Sequence, residues 1–315
     1  MSVYTSVSRN ELSEFLQNYD LGNLIDYQGI SGGITNTNYF INTENGRFVL
    51  TLFESLKQDE IPFFMNLKAH LNQHNVACPN PVPQKSGGYV GKLCGKPASL
   101  ISCLNGKDVD NPNEKQCYAT GVMLAKMHLA TNDFDEQMHD TRGISWLKES
   151  AGKLSGRLSN TDNQLLQQYV DSIQKLDSNL PNGIIHADLF RDNVLLYNDE
   201  VAGFIDFYYA CNGIFIYDLA VALNDWTRCD ANNTLDSTRY TAMLSGYESV
   251  RKLTIAEKNA LQTAHCAAAI RFWVSRLLDF HFPTEGELTF IKNPDVFRDL
   301  LKYVSSTDFF NNIKD

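Results

Sequence analysis

The sequence predicts an α+β fold in two lobes, a β-rich N-lobe over residues 1–104 and a mainly helical C-lobe over residues 105–315. Three observations carry this expectation. Short apolar runs broken by turn residues fill the first hundred or so positions. Longer stripes at helical spacing fill most of the remainder. The change between the two patterns is abrupt and falls at a hinge near residues 101–106, where Asn105-Gly106 breaks the chain.

The elements follow in order. Ser8 and Glu11 have capping-box spacing, and Leu12, Phe15 and Leu16 continue as an apolar stripe, which predicts a short opening helix. Residues 24–30, 38–42 and 47–53 read as strands, with a hairpin turn at 44–46. Residues 62–74 read as a helix, since Phe63, Leu67 and Leu71 have core spacing and Pro62 suits a first turn. Two further strands, 89–93 and 98–104, flank a turn at 94–96. Beyond Gly106, helices are predicted over 116–129, 163–176, 218–226, 235–249 and 256–280. A strand pair, 194–197 and 201–205, interrupts them around Asn198-Asp199. A cleft between two such lobes is the expected ligand site.

Composition narrows the function classes. A net charge of −10 lacks the basic face that grips a phosphate backbone, so nucleic-acid binding is not expected. A small phosphorylated ligand needs only a local positive site. The seven cysteines are odd in number and scattered, and no C-x-x-C occurs, so neither a disulfide framework nor a structural zinc is expected. Free thiols in the reducing cytoplasm fit this usage. The start M-S-V-Y-T-S has no signal-peptide character. The apolar stretch 265–280 contains Arg271 and Arg276, which predicts a buried or amphipathic helix and no membrane partner.

The most informative stretch is I-I-H-A-D-L-F-R-D-N-V-L-L, residues 184–196, with His186-x-Asp188-x-x-x-x-Asn193 at its centre. Phosphoryl transfer from ATP needs a carboxylate to orient the attacking hydroxyl and oxygen ligands to hold magnesium on the phosphates. Asp188 and Asn193 can supply one of each from a single loop, or they can be turn-forming loop residues. Further on, Gly203-Phe204-Ile205-Asp206-Phe207 ends a hydrophobic strand in an acid. Asp206 there suits a second magnesium ligand, or a cap on the next segment. The joint order of these residues around a small hairpin favours the chemical reading.

The set H-x-D-x-x-x-x-N, then I-D-F, then Y-D-L-A at residues 217–220, resembles the aminoglycoside phosphotransferase and choline kinase superfamily, which has the protein-kinase-like fold. Within it, the segments V-Y-T-S-V, I-S-G-G-I-T-N-T-N-Y-F-I, H-A-D-L-F-R-D-N, I-D-F-Y-Y-A-C and A-A-I-R-F-W-V-S-R-L-L-D resemble the homoserine kinases built on that fold, over nearly the whole chain. The resemblance implies an ATP-dependent kinase acting on the hydroxyl of L-homoserine, on the route to threonine. It implies Asp188 as the base, and Asn193 and Asp206 as magnesium ligands. It makes Asp218 an acid bracing the catalytic loop, where capping of the following helix is the alternative. Other acceptors on the same fold are choline, methylthioribose and aminoglycosides. A catalytically dead binding protein is a third class, and intact Asp188, Asn193 and Asp206 argue against it.

Nucleotide contacts are less sharply written. Residues 30–38 lie between two strands, and Gly32, Gly33, Thr35 and Asn36 can cover phosphates or make a plain turn. Ser102 and Leu104 fall where the resemblance places backbone bonds to adenine. Many relatives carry a lysine on the third strand, but Thr51 stands there, and the following helix lacks an interior glutamate. Losing both halves of an ion pair is coherent, because losing one strands a charge. Lys57 can supply the missing cation or be a solvated surface residue. For a zwitterionic acceptor, Arg228, Arg271 and Arg276 are candidates for the carboxylate, with an Arg276–Asp279 structural pair as the alternative. His128 and His265 read as core histidines.

Overall fold

The computed structural model describes residues 5–30, 36–173, 176, 179–283 and 292–310. These residues divide into two compact units, the first ending at Asn105 and the second starting at Gly106.

The first unit opens with α1 (Arg9–Leu16). Ser8 accepts the Glu11 N–H and the Glu11 carboxylate accepts the Ser8 N–H, closing the capping box. Five strands follow: β1 (Leu24–Gly29), β2 (Thr37–Thr43), β3 (Gly46–Leu52), β4 (Gly91–Leu93) and β5 (Lys96–Ser102), with α2 (Ile61–Gln73) between β3 and β4. They form an antiparallel sheet in the order β1-β2-β3-β5-β4. Burial alternates strictly along β2. That sends Tyr39 and Ile41 into a core with Leu50, Leu52, Leu100 and the Leu12, Phe15 and Leu16 stripe of α1. Each such side chain contributes about 1.5–3 kcal/mol by leaving water. Gly46, at φ 142°, makes the tight β2–β3 hairpin possible.

The second unit is mainly helical. Its helices are α3 (Glu114–Ala130), α4 (Ile144–Leu154), α5 (Asn160–Ile173), α6 (Phe215–Trp226), α7 (Ser237–Val250), α8 (Ile255–His281) and α9 (Asp295–Ser306). Two antiparallel pairs accompany them: β6 (Asn182–Ile185) with β9 (Cys211–Ile214), and β7 (Val194–Tyr197) with β8 (Glu200–Phe204). α3 and α7 cross with their backbones nearly touching. A Cβ on Gly121 would lie 2.1 Å from the Met243 carbonyl oxygen, and one on Gly246 would lie 2.1 Å from that of Tyr118. α6 is buried around almost its whole circumference, so its polar residues must find partners inside the protein.

The differences from the sequence expectation are local. α4, β9 and α9 were not anticipated. The helix expected to begin at Asp218 begins at Phe215, so Asp218 lies inside the first turn and does not cap it. The strand expected over 89–93 is reduced to Gly91–Leu93, because turns around Gln84, Gly87 and Gly88 occupy the chain before it. β5 ends at Ser102, leaving Leu104 beyond the sheet. All seven cysteines are free. Among the described residues no helix is long and apolar enough to cross a membrane.

Candidate active site

The loop between β6 and β7 carries Asp188, and its shape is imposed from below. Ala187 sits at φ 62°, a left-handed conformation that costs energy for a residue with a Cβ. It is held there by Asp218 on α6. The Ala187 N–H donates to Asp218 Oδ1 at 2.7 Å and the His186 N–H to Oδ2 at 2.9 Å. His128 on α3 adds a third bond, Nε2 to Oδ2 at 3.0 Å, while its Nδ1 meets the Tyr247 hydroxyl at 2.7 Å. A carboxylate only accepts, so His128 is the neutral tautomer with its proton on Nε2 and Tyr247 donating to Nδ1. Burial works against a charge on Asp218, but the bonds from His128 and the loop amides outweigh it and hold the carboxyl below its ordinary range. Burial likewise pushes the His128 pKa down.

A second acid on α6 fixes the other end of the loop. Buried Asp225 accepts the Arg191 N–H at 2.8 Å and Arg191 Nε at 3.1 Å. Asp218 and Asp225 are about two helical turns apart, which puts them on one face of α6. One helix therefore positions both arms of the catalytic loop. Asp225, Arg191 and the His128 bond were not foreseen. An acid on an otherwise apolar helix is itself a signal that a buried partner exists.

Within the loop, Asn193 Nδ2 donates to the Asp188 carbonyl at 2.8 Å and lies 3.4 Å from its carboxylate. That orientation turns Asn193 Oδ1 away as an acceptor. The β7–β8 pair brings Asp206 alongside, since the Ile205 N–H donates to the Asn193 carbonyl at 2.9 Å and His186 Nε2 bonds the Ile205 carbonyl at 2.9 Å. Asp206 itself is left-handed, at φ 61° and ψ 58°. Burial pushes the Asp188 carboxyl up to about 7; the Arg271 guanidinium, 3.5 Å from Oδ1, opposes this, and the charges of Asp206 and Asp192 add to it. The Asp206 carboxylate and the free Oδ1 of Asn193 are oxygen donors of the kind that suits a hard divalent cation such as magnesium.

The three arginine candidates separate. Arg271 on α8 faces Asp188 and is buried. Arg228 pairs with Asp230 at 2.7 Å and donates to Asn233 at 3.1 Å. Arg276 donates to the Asn293 carbonyl at 3.1 Å and covers the Phe297 ring. His265 is a core histidine, bonded to Asn224 and Tyr240.

In the first unit, Thr51 is buried on β3 and donates to Asn38 Oδ1 at 2.8 Å across the strand pair. Asn36 is buried and accepts the Glu54 N–H at 3.3 Å. Lys57 is exposed and lies 3.6 Å from Glu60. Ser102 Oγ accepts the Asn80 N–H at 2.8 Å. Gly32, Gly33 and Thr35 lie outside the described residues. A cation the sequence reading passed over, Lys96, pairs with Glu54, whose carboxylate also accepts the Thr5 hydroxyl at 2.8 Å.

Comparison with known proteins points the same way. Residues 26–253 match the phosphotransferase enzyme family (APH). A homoserine kinase of Neisseria meningitidis serogroup B is 54% identical over 302 residues, covering 96% of this chain and 99% of its own. A homoserine kinase of Methylobacillus flagellatus is 46% identical, covering 96% and 95%. Among solved structures, spectinomycin phosphotransferase APH(9)-Ia superposes with a TM-score of 0.69 at 15% identity, covering 97% of this chain and 100% of its own. Amicoumacin kinase hAmiN, in complex with AMP-PNP and Ca2+, gives 0.68 at 16% identity, covering 96% and 92%. At such low identity the structural likeness is one of fold, the protein-kinase-like α+β fold.

Proposed function

From the premise that this chain belongs to the phosphotransferase enzyme family, we propose how its residues carry out the transfer. The chain acts as a homoserine kinase, an ATP-dependent transferase that moves a phosphoryl group to the hydroxyl of L-homoserine on the route to threonine. The observation that carries the mechanism is the Asp188 loop fixed at both arms by α6.

Asp188 is the base. Its carboxylate orients the homoserine hydroxyl towards the γ-phosphorus and accepts its proton as the new O–P bond forms. Asp206 and Asn193 Oδ1 would hold magnesium, which would neutralise charge on the phosphates. Asn193 also keeps Asp188 in place through its amide nitrogen. The loop cannot relax away from this geometry without breaking the Asp218 and Asp225 contacts, so positioning is achieved before substrate arrives. Residues 1–104 serve as the nucleotide-covering lobe and 105–315 as the catalytic lobe. Phosphate cover is assigned to Gly32, Gly33, Thr35 and Asn36 and adenine contact to the backbone of Ser102 and Leu104, while Thr51 takes the position of the usual strand lysine and Lys57, beyond the strand, is the candidate cation in its place. ATP as donor and seven free thiols support a cytoplasmic setting.

The test is an ATP turnover assay with and without magnesium, across L-homoserine, choline, methylthioribose and kanamycin. Preferential, magnesium-dependent phosphorylation of homoserine is expected. Brisk phosphorylation of another alcohol and none of homoserine would overturn the acceptor and leave the kinase chemistry standing.

A further inference from the structure

In the second unit a cavity of about 260 Å³ opens beside Arg271, the arginine that faces Asp188. Asp140, Arg142, Ile144, Leu147 and Tyr217 contribute to its wall. The segment carrying Asp140 and Arg142 is pinned to β9. The Asn212 N–H donates to the Met138 carbonyl at 2.9 Å, and Asn212 Oδ1 accepts the Met138 N–H at 2.8 Å. Asp140 Oδ1 then accepts the Arg142 N–H at 2.7 Å, fixing the two residues against each other.

The charges are arranged for a ligand that carries both signs. The Arg142 guanidinium lies 4.7 Å from the centre of the Trp146 ring and 5.7 Å from that of Tyr209. Among the described residues it has no carboxylate partner. An arginine held by two rings and lacking an anion is preorganised to receive one. Arg271 lies 5.1 Å from the same Tyr209 ring, so the two guanidiniums share one aromatic wall. Arg271 is already opposed by Asp188. That leaves Arg142 for an incoming carboxylate and half-buried Asp140 for an incoming ammonium. A polycationic or quaternary ammonium acceptor would meet two fixed guanidiniums instead.

We propose that this cavity is the acceptor site, with Arg142 binding the α-carboxylate and Asp140 the α-ammonium of an amino acid whose hydroxyl reaches Asp188. This rests on the homoserine kinase reading and extends it to residues outside the catalytic loop. The two methylenes of homoserine separate its charged head from its hydroxyl, and Arg271 both lines the cavity and faces the base.

The experiment compares wild type, Asp140→Asn and Arg142→Gln on three acceptors: L-homoserine, homoserinol, which lacks the carboxylate, and 4-hydroxybutyrate, which lacks the ammonium. Asparagine retains the oxygen that accepts the Arg142 N–H, so the turn survives while the charge is lost. Each variant is expected to raise the KM for homoserine about 10- to 100-fold and to leave the KM for ATP unchanged. Arg142→Gln should not alter the use of homoserinol, nor Asp140→Asn that of 4-hydroxybutyrate, because the deleted partner is already missing. Wild-type KM for homoserine in either variant overturns the site. Equal loss on homoserine and the matching truncated acceptor also overturns it, by revealing general damage. If the wild-type chain phosphorylates other alcohols but not homoserine, the functional reading fails first and the site with it.

Discussion

Asp188 combines two demands at a single residue: it must be charged to act as a base, yet it is crowded by protein and by the acids Asp206 and Asp192. Arg271 is the cation that moderates this. Asp188→Asn keeps the shape and removes the base, so turnover is expected to fall about 10²–10⁴-fold. ATP affinity, measured by equilibrium titration, should stay close to wild type; near-normal turnover would take the role away from Asp188. The neighbours should respond differently. Asp206→Ala deletes an anionic ligand and Asn193→Ala a neutral one, so the magnesium concentration for half-maximal rate should rise more for Asp206→Ala. If neither variant changes the magnesium dependence, the metal assignment is wrong. These residues were legible in the sequence because they sit in two short segments joined by one hairpin. His128 and Asp218, 90 positions apart, were not legible as a pair, because nothing in the spacing of remote residues announces their contact.

At the scale of elements, α6 and the α3–α7 crossing set the second unit's geometry. The α3–α7 approach depends on Gly121 and Gly246, whose added Cβ atoms would strike backbone oxygens. Backbone cannot rotate aside as a side chain does, so Gly121→Ala must push the helices apart. The gain in helix propensity, about 1 kcal/mol, is expected to be outweighed by overpacking and by strain on His128, which lies further along α3. A net loss of about 1–3 kcal/mol in urea unfolding is the expected outcome, and an unchanged or higher midpoint would contradict the close crossing. Strands and hairpins of the first unit were readable from period-two alternation and turn residues. α9 was missed, although Phe297, Leu300, Leu301 and Val304 lie on one helical face and their spacing carries the signal. α4 was harder, with Ser150, Gly152 and Ser155 diluting its stripe of Leu147, Ala151 and Leu154. The proposed acceptor cavity had no linear signature, because its wall is drawn from β6, β9, α4, α6, α8 and the turn before α4.

At the scale of the whole molecule, three histidines are buried and held neutral. Burial pushes His265 down to about 3 and lowers His128 and His186 as well. The unfolded chain takes up these protons below about pH 6.5, whereas the folded chain does not. Stability is therefore present above that pH and declines as pH falls towards the folded values, by about 1.4 kcal/mol per pH unit for each histidine. Asp218, whose folded pKa is depressed, adds to the loss at still lower pH. Urea midpoints between about pH 7.5 and 5 should fall accordingly, and His265→Gln should flatten the profile. A profile flat in the wild type would mean that these rings are reached by protons in the folded state. The fastening of the loop to α6 has a further consequence in the exchange of hydrogen with solvent. The amides of His186 and Ala187 donate to a carboxylate with no exposure, on a helix buried almost all round. A loop amide ordinarily exchanges through small local openings, but these two can be released only when α6 itself leaves the core. In deuterated water they should exchange as slowly as the innermost amides of α6 and report the unfolding free energy of the second unit, so the peptide next to the reactive carboxylate belongs to the slowest-opening part of the protein.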